Sequence, residues 1–403
     1  RRNTVLDQMV KNKYLSEGKA AQLKKLPVKI NFKPESHAEG TATYFREYLR
    51  ESLKPIIKAI EEEKGEEIDL YTAGLKIYTT VDSRMQQYAE EAVEEHLSNL
   101  QPEFNRRQKD NPTAPFLDIT PEETQKIMNQ AMKNSERWRI MSINGKSDAE
   151  IKQSFEVPAK MKIFTWKGER DTIMKPKDSI LYYKHFLQTG MMAMEPQTGH
   201  VKAWVGGINY KYFQYDHVGQ GARQVGSTFK PFVYATAIDR LGKSPCDMIM
   251  DSPFTILKGD NNDKDWTPNN SDGKFRGLVS MKKALANSIN TVSARLIHEV
   301  GAPAVVEMTK NLGVTSDIPN RPAIALGAVE ITVEEMVAAF STFANEGVYI
   351  KPQLITRIED KNGVVIYQGV EESHDVVNKD VAYSIIKLME GVTESGTGSR
   401  LRW

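Results

Sequence analysis

A serine and a lysine three residues apart are the side chains in this sequence whose types and spacing best suit chemistry. Ser227 and Lys230 lie in the segment 224–232, QVGSTFKPF, where a helix is predicted to begin. Residues at i and i+3 share one helix face, so the Lys230 amine is expected to reach the Ser227 hydroxyl. A serine becomes a good nucleophile when a base takes its proton, and a lysine with a lowered pKa can be that base. The pair therefore suits acyl transfer through a covalent serine ester.

The spacing alone is weak evidence, and the flanking residues make this pair distinctive. The same spacing occurs at Ser16/Lys19, Ser271/Lys274, Ser280/Lys283 and Ser384/Lys387. Only Ser227 is preceded by a glycine that allows close backbone approach and followed by Pro231, which a helix tolerates in its first turn. Ser227 is thus predicted at a helix N-terminus, where free N–H groups favour developing negative charge. The competing interpretation is a capping serine beside a solvated lysine.

A second polar group lies 61 residues beyond Ser227, at Ser288 and Asn290. The triplet Ser-Ile-Asn also occurs at residues 142–144, so it is common by itself. Around Ser288, however, the apolar residues follow helical spacing: Met281, Leu285, Ile289, Val292 and Leu296. Polar side chains that are buried need hydrogen-bond partners. A catalytic role would explain both residues, with Ser288 as a second catalytic serine and the Asn290 amide as a group that holds the substrate. The alternative is a connection between two helices in which Ser and Asn act as caps.

With both groups in place, the sequence resembles the transpeptidase domain of the class A penicillin-binding proteins. Ser-x-x-Lys and Ser-x-Asn are motifs of that family and of its β-lactamase relatives. Other stretches are also similar to it: residues 193–207 to its first hairpin, 266–270 to its aromatic-x-Pro-x-Asn loop, and 325–340 to the approach to a later helix. Residues 74–82 resemble the segment between its two catalytic domains, and 1–9 the end of its glycosyltransferase domain. The resemblance leaves out only residues 99–160, approximately.

The resemblance implies a fold and a set of residue roles. The fold would be the α+β penicillin-binding transpeptidase fold, which is serine β-lactamase-like and has an antiparallel sheet with helices on both faces plus a helical subdomain. Ser227 would attack the peptide bond between two D-alanines after Lys230 takes its proton. Ser288 would relay a proton to the leaving amine, and Asn290 would bind the substrate backbone. The chain would thus be a peptidoglycan D,D-transpeptidase.

The same resemblance implies partners and a location. Peptidoglycan stem peptides and the lipid-linked precursor would be substrates, and β-lactams would be covalent inhibitors. The parent protein would also be a peptidoglycan glycosyltransferase, held by a single-pass anchor upstream of residue 1 at the extracytoplasmic face of the bacterial membrane. No cofactor, metal or nucleic acid is expected.

The third motif of the family, Lys-Ser/Thr-Gly, does not occur in the sequence. Residues 393–403 resemble the family just before the strand that carries it, so truncation before the last strands is the expected cause. That strand would bind the substrate carboxylate and supply one oxyanion-hole N–H, and losing one such donor typically costs about 10²–10³ in rate. This fragment is therefore expected to be incomplete for activity. A lesser departure is Val225, where the family usually has proline.

Three other functions remain open at this point. A D,D-carboxypeptidase would use water in place of the acceptor amine. A serine β-lactamase shares the first two motifs but needs a base for deacylation, such as a glutamate, and the additional domains argue against it. A noncatalytic scaffold would explain the missing motif, and absence of Lys-Thr-Gly from the parent sequence just beyond Trp403 would exclude the enzyme and leave the scaffold.

Length and composition agree with a multi-domain enzyme and give no sign of a nucleic-acid-binding, disulfide-bonded, metal-binding or membrane-spanning chain. The 403 residues contain 54 Lys and Arg against 53 Asp and Glu, a net charge of +1 that does not favour nucleic acid. Cys246 is the single cysteine, so an intrachain disulfide is impossible, and its apolar neighbours predict a buried thiol. The seven histidines show no metal-binding spacing. No apolar run is long enough to span a membrane.

The chain is predicted to have three parts. Residues 1–40 would be the tail of the glycosyltransferase domain, 41–185 an interdomain linker with a polar insert of unknown role, and 186–403 the transpeptidase domain, incomplete at its C-terminus. Strand-like runs occur at 161–166 and 180–183 within the linker region. In the last part, Thr332 and Glu335 predict a capping box, residues 354–358 and 364–367 a hairpin, and Gly391 the end of a final helix. Strands and helices that do not alternate regularly indicate α+β.

Overall fold

The computed structural model describes residues 2–27, 37–259 and 264–402. These residues belong to two compact units, Arg1–Glu39 and Gly40–Trp403. The first unit contains α1 (Arg2–Lys11) and α2 (Glu17–Lys25). Ser16 caps α2 by accepting a hydrogen bond from the Lys19 N–H. This Ser-x-x-Lys match is therefore a helix start.

The second unit contains the remaining helices and all the strands of the described chain. Its helices are α3 (Thr43–Lys64), α4 (Ser83–Arg107), α5 (Pro121–Lys133), α6 (Glu136–Ile143), α7 (Asp148–Ser154), α8 (Pro176–Lys184), α9 (Lys230–Leu241), α10 (Met281–Ala286), α11 (Asn290–Val300), α12 (Ala302–Asn311), α13 (Val333–Ala344) and α14 (Lys379–Ser395). Short 3₁₀ helices occur at Gly226–Phe229, Pro322–Leu326 and Ser399–Arg402. Its strands are β1 (Lys76–Thr79), β2 (Ala159–Ile163), β3 (Arg170–Met174), β4 (Met191–Met194), β5 (Val201–Val205), β6 (Arg223–Gln224), β7 (Met248–Asp251), β8 (Gly277–Ser280), β9 (Glu330–Ile331), β10 (Val348–Ile350), β11 (Ile355–Glu359), β12 (Val365–Gln368) and β13 (Ser373–Asp375).

The named strands pair antiparallel. The order β1-β11-β12 forms a three-stranded sheet, and two-stranded ladders join β2 to β3, β4 to β5, β6 to β9, β7 to β8 and β10 to β13. The hairpins predicted around residues 193–207 and 354–367 are confirmed as β4-β5 and β11-β12. The capping box is also confirmed, because Thr332 and Glu335 satisfy each other's N–H groups at the start of α13. The strands pair antiparallel and do not alternate regularly with the helices, which confirms the α+β class.

Helix α9 lies in the largest hydrophobic core formed by the described residues. Residues 230–238 are buried without interruption, and they pack among residues of α11, α12 and α14. A helix that is apolar on every side is stable only when it is surrounded. Its N-terminus carries Lys230 and directly continues the 3₁₀ turn that carries Ser227. The packing of α9 in this core therefore holds the C-terminal end of the Ser227 turn in place.

A smaller core lies between α5, α7 and the helices next to them. Met132, Ile151 and Phe155 are its buried residues, and Trp138, Met141 and Ile180 pack against them. The surrounding surface is polar, with ion pairs such as Lys146–Glu150 at the start of α7. The polar insert predicted from the sequence is thus a folded helical region with a core of its own.

Three local predictions are wrong. Residues 180–183 lie in α8, not in a strand, because Pro176 begins a helix and so short an apolar run does not distinguish the two. Helix α14 continues past Gly391 to Ser395, and Gly391 is buried where the helix lies against Lys282 and Ala286. Cys246 is exposed because it follows Pro245 in a surface turn.

No helix in the described part of the chain is both long enough and apolar enough to cross a bilayer.

Candidate active site

Ser227 lies in a 3₁₀ turn whose shape depends on two glycines. Gly226 has φ +55°, a conformation that favours glycine, and its N–H donates to the Gly327 carbonyl at 3.2 Å. A Cβ at residue 327 would lie 1.9 Å from the Gly226 oxygen. The close approach predicted for Gly226 is real, but the lack of a side chain at Gly327 permits it, which sequence reasoning missed. The Ser227 side chain remains exposed.

The residue before this turn contributes a hydrogen bond that the family's usual proline could not make. The Val225 N–H donates to the Val329 carbonyl at 3.1 Å. Directly before it, β6 pairs with β9 through the partners Arg223–Ile331 and Gln224–Glu330. The strand pair therefore extends to the Ser227 turn, and Val225 adds one rung to it.

The Lys230 side chain is buried beneath the exposed serine. Its residue is 0% exposed, and Nζ donates to the Ser288 carbonyl at 2.7 Å, Ser288 Oγ at 3.0 Å and Asn290 Oδ1 at 2.7 Å. These three acceptors match the three donors of an ammonium group. Burial lowers the Lys230 pKa from 10.5 to about 8. Lys230 can therefore exchange a proton close to neutral pH.

Ser288 joins the lysine to the first serine. Its Oγ lies 2.9 Å from Ser227 Oγ and 3.0 Å from Lys230 Nζ. No hydrogen bond joins Lys230 directly to Ser227 among the described residues, so the contact expected from i,i+3 spacing is replaced by one that passes through Ser288. The three protons of Lys230 go instead to acceptors on the 288–290 segment.

An unusual backbone conformation aims Ser288 at the lysine. Helix α10 ends at Ala286 and α11 begins at Asn290, so the predicted interruption of the helical region is present. Ser288 has φ +55°, which is strained for a residue with a side chain and costs of order 1–3 kcal/mol. Its N–H donates to Leu285, and that of Ile289 to Ala284. These bonds hold a conformation in which both the carbonyl and the hydroxyl of Ser288 contact Lys230.

Asn290 is held from the opposite side by the loop at residues 266–270. Its Nδ2 donates to the Asn269 carbonyl at 2.8 Å, and its backbone N–H donates to Asn270 Oδ1 at 2.9 Å. The structure therefore brings Ser227, Lys230, Ser288 and Asn290 together. The aromatic-x-Pro-x-Asn resemblance marked this loop, but sequence reasoning gave its asparagines no role.

Other matches to the two short motifs lie in ordinary structural positions. Ser280 caps α10 by accepting a hydrogen bond from the Lys283 N–H at 3.3 Å. Ser142 lies within α6, and Asn144 follows the end of that helix. Spacing alone thus does not separate caps from a site.

Comparison with known proteins shows the family. Residues 189–402, just over half of the 403 residues, match the penicillin-binding protein transpeptidase domain, so the chain belongs to this family. Residues 111–187 match the penicillin-binding protein middle domain. That match includes most of residues 99–160, the segment that the family resemblance left out.

Curated relatives are similar over nearly all of this chain. Penicillin-binding protein 1A of Rickettsia bellii is 28% identical over 98% of the chain and 54% of its own length. Penicillin-binding protein 1A of Aquifex aeolicus is 28% identical over 99% of the chain and 53% of its own length. The chain thus spans about half the length of these relatives.

Solved structures support the fold. Penicillin-binding protein 1A from Haemophilus influenzae aligns with a TM-score of 0.65 and 21% identity, covering 99% of this chain and 65% of its own. PonA1 from Mycobacterium tuberculosis aligns with a TM-score of 0.52 and 19% identity, covering 84% and 69%. The penicillin-binding transpeptidase fold predicted from the sequence is confirmed.

Proposed function

We propose that this chain carries the site of a peptidoglycan D,D-transpeptidase with Ser227 as its nucleophile. The observation that supports it most is the hydrogen-bonded series from exposed Ser227 through Ser288 to buried Lys230, whose pKa is about 8. A nucleophile joined to a base by hydrogen bonds, with the base held by further groups, is an arrangement that activates a serine. Membership of the transpeptidase family provides the reaction class.

The reaction begins when Lys230, in its neutral form, accepts the Ser227 proton through the Ser288 hydroxyl. Ser227 Oγ attacks the carbonyl carbon between two D-alanines, and a tetrahedral oxyanion forms. As the C–N bond breaks, the proton returns through Ser288 to the leaving amine, and D-alanine departs. The amine of a neighbouring stem peptide then attacks the ester, its proton passes back along the same route, and Ser227 regains its hydroxyl.

Two groups are placed to bind the reacting peptide. The Ser227 backbone N–H lies in the first turn of a helical segment, where N–H groups have no intrahelical partner, and would form one half of the oxyanion hole. Asn290 Nδ2 uses one proton on Asn269 and retains a second for the substrate backbone.

The wider roles are those that the family resemblance implies, and the similarity to relatives named penicillin-binding protein 1A supports them. Stem peptides and the lipid-linked precursor would be substrates of the parent protein, and β-lactams would remain as slow esters on Ser227. The parent would also be a glycosyltransferase, anchored by one membrane span at the extracytoplasmic face. Residues 1–40 would end that catalytic domain, 41–185 would link the two, and 186–403 would form the transpeptidase domain.

A D,D-carboxypeptidase is the second candidate. Ser227 is exposed, so water could reach an ester formed on it. The two activities share every step up to the acyl-enzyme and differ only in the acceptor.

Covalent labelling tests the nucleophile. The full-length protein, with any residues that the parent gene encodes beyond Trp403, is incubated with a labelled penicillin and digested for mass spectrometry. We expect one adduct on the peptide that contains Ser227 and none in Ser227→Ala. Ser384→Ala, which removes the serine of another Ser-x-x-Lys match, should be labelled like the unaltered protein. An adduct on another serine, or one that persists in Ser227→Ala, would contradict the proposal.

A further inference from the structure

A buried carboxylate lies next to the site, and its hydrogen bonds within the described part of the chain go to residues other than the four assigned to the site. Asp251, at the end of β7, is 0% exposed. It accepts hydrogen bonds from Thr291 Oγ1 at 2.6 Å, Asn270 Nδ2 at 2.8 Å and the Arg276 N–H at 2.9 Å. A buried charge is costly unless it is paired or hydrogen-bonded, so these three donors provide the compensation that Asp251 requires.

The three donors also keep this carboxylate ionised. Burial by itself would raise the Asp251 pKa, but hydrogen bonds from Thr291, Asn270 and Arg276 outweigh it and lower the pKa. The Arg276 guanidinium lies 3.6 Å away and adds an opposite charge. Asp251 is therefore a fixed acceptor, and hydrogen bonds to a charged acceptor are stronger than those to a neutral one.

Two of the groups that donate to Asp251, Thr291 and Asn270, are directly connected to Asn290. Thr291 is its neighbour in the first turn of α11, and Asn270 Oδ1 accepts from the N–H groups of Asn290 at 2.9 Å and Thr291 at 3.4 Å. Ile289, the N-cap residue of α11, provides no side-chain cap. The first N–H groups of a helix have no internal partners. Helix α11 is thus capped from outside by Asn270, which Asp251 orients.

We propose that Asp251 is a positioning residue of the transpeptidase site. Through Thr291 and Asn270 it fixes the first turn of α11, and this turn places Asn290 Oδ1 2.7 Å from Lys230 Nζ. The inference rests on the proposed function, since that function gives Asn290 its two roles, in holding Lys230 and in binding the substrate backbone. It assigns a role to Asp251 and Thr291, two polar residues that lie outside the Ser-x-x-Lys and Ser-x-Asn motifs.

Two substitutions at Thr291 separate positioning from general stability. Thr291→Val removes the hydroxyl that reaches Asp251 but keeps the side-chain shape, whereas Thr291→Ser keeps the hydroxyl. Thr309→Val is the matched control, because Thr309 is also 0% exposed and its Oγ1 donates to the Val305 carbonyl in another helix. All three variants are compared with the unaltered full-length protein at a temperature well below unfolding.

The first readout is the rate constant of acylation by a labelled penicillin. We expect it to fall about tenfold in Thr291→Val, because a small misplacement of a catalytic group is costly, and to return to within about twofold in Thr291→Ser. Thr309→Val should acylate at the unaltered rate although it also loses a buried hydrogen bond. Unchanged acylation in Thr291→Val, or an equal loss in Thr309→Val, would overturn the inference.

The second readout does not depend on the reaction. In protein labelled with ¹⁵N-asparagine, the side-chain amide signal of Asn290 should shift in Thr291→Val, return in Thr291→Ser and stay in place in Thr309→Val. If the unaltered protein forms no adduct on Ser227, the proposed function fails, and this signal still decides whether Asp251 and Thr291 position Asn290. A signal that does not move in Thr291→Val would overturn the positioning role.

Discussion

Charged residues of the middle region at 111–187 and those at the site of the transpeptidase region at 189–402 lie in opposite surroundings. In the middle region, ion pairs such as Arg139–Glu136 and Lys146–Glu150 join exposed side chains only three or four residues apart in the sequence. In the transpeptidase region, Lys230 and Asp251 are fully buried and make hydrogen bonds to residues far away in sequence.

This difference indicates where precise geometry is maintained. Exposed ion pairs contribute about 0–1 kcal/mol and leave both side chains mobile. A buried charge has to keep its partners, because losing one leaves an uncompensated group in the core. Lys230 and Asp251 are thus tied to fixed positions, whereas the exposed ion pairs of the middle region require no fixed geometry. Three substitutions or conditions test this contrast, beginning with the largest expected effect on acylation.

Replacement of Lys230 should have the largest effect. Lys230→Met keeps a long side chain but removes the base, and we expect the rate of acylation by labelled penicillin to fall by about 10²–10⁴. Lys283→Met, which alters the exposed lysine of another Ser-x-x-Lys match, should label normally. Rapid labelling of Lys230→Met would show that another group activates Ser227.

The pH dependence should be smaller and should have a definite sign. Burial lowers the Lys230 pKa to about 8, so the neutral amine that accepts a proton becomes more abundant as the pH rises. The acylation rate should increase by about tenfold per unit below pH 8 and level off above it. Stopped-flow measurements between pH 6 and about pH 9 would check this, and a flat profile would contradict a role for Lys230 as the base.

A core substitution in the middle region should leave acylation unchanged. Phe155 is 2% exposed, and Phe155→Ala should destabilise its small core by about 3–5 kcal/mol. We expect faster proteolysis within residues 111–187 but an acylation rate within about twofold of the unaltered protein. The same change at Phe343, which is 0% exposed in the large core, should reduce the yield of labelled protein.

If Phe155→Ala slowed acylation more than about tenfold, the two regions would be coupled. The contrast between buried charged groups that hold the site and exposed ion pairs that do not affect it would then be wrong. Proteolysis that spreads equally across both regions would lead to the same conclusion.

Much of this arrangement could be predicted from the sequence because its signals are local. Pro231 after Lys230 indicates a helix start, and the capping box at Thr332 and the turn between β11 and β12 involve neighbours in the chain. The strand-like run at 180–183 could not be predicted correctly, because four apolar residues fit either a strand or one face of α8.

The sequence by itself determined which residue types are available for acyl transfer and the spacing of Ser227, Lys230, Ser288 and Asn290, because these follow from the order of residues. Only the tertiary structure decided that Lys230 donates a hydrogen bond to Ser288 rather than to Ser227, that the missing side chain of Gly327 leaves room for the Ser227 turn, and that Thr291 in α11 donates to Asp251. Such contacts join residues tens of positions apart, and burial in a common core determines which of them form. The lowered pKa of Lys230 has the same origin, since it depends on what surrounds the amine and not on its neighbours in the chain.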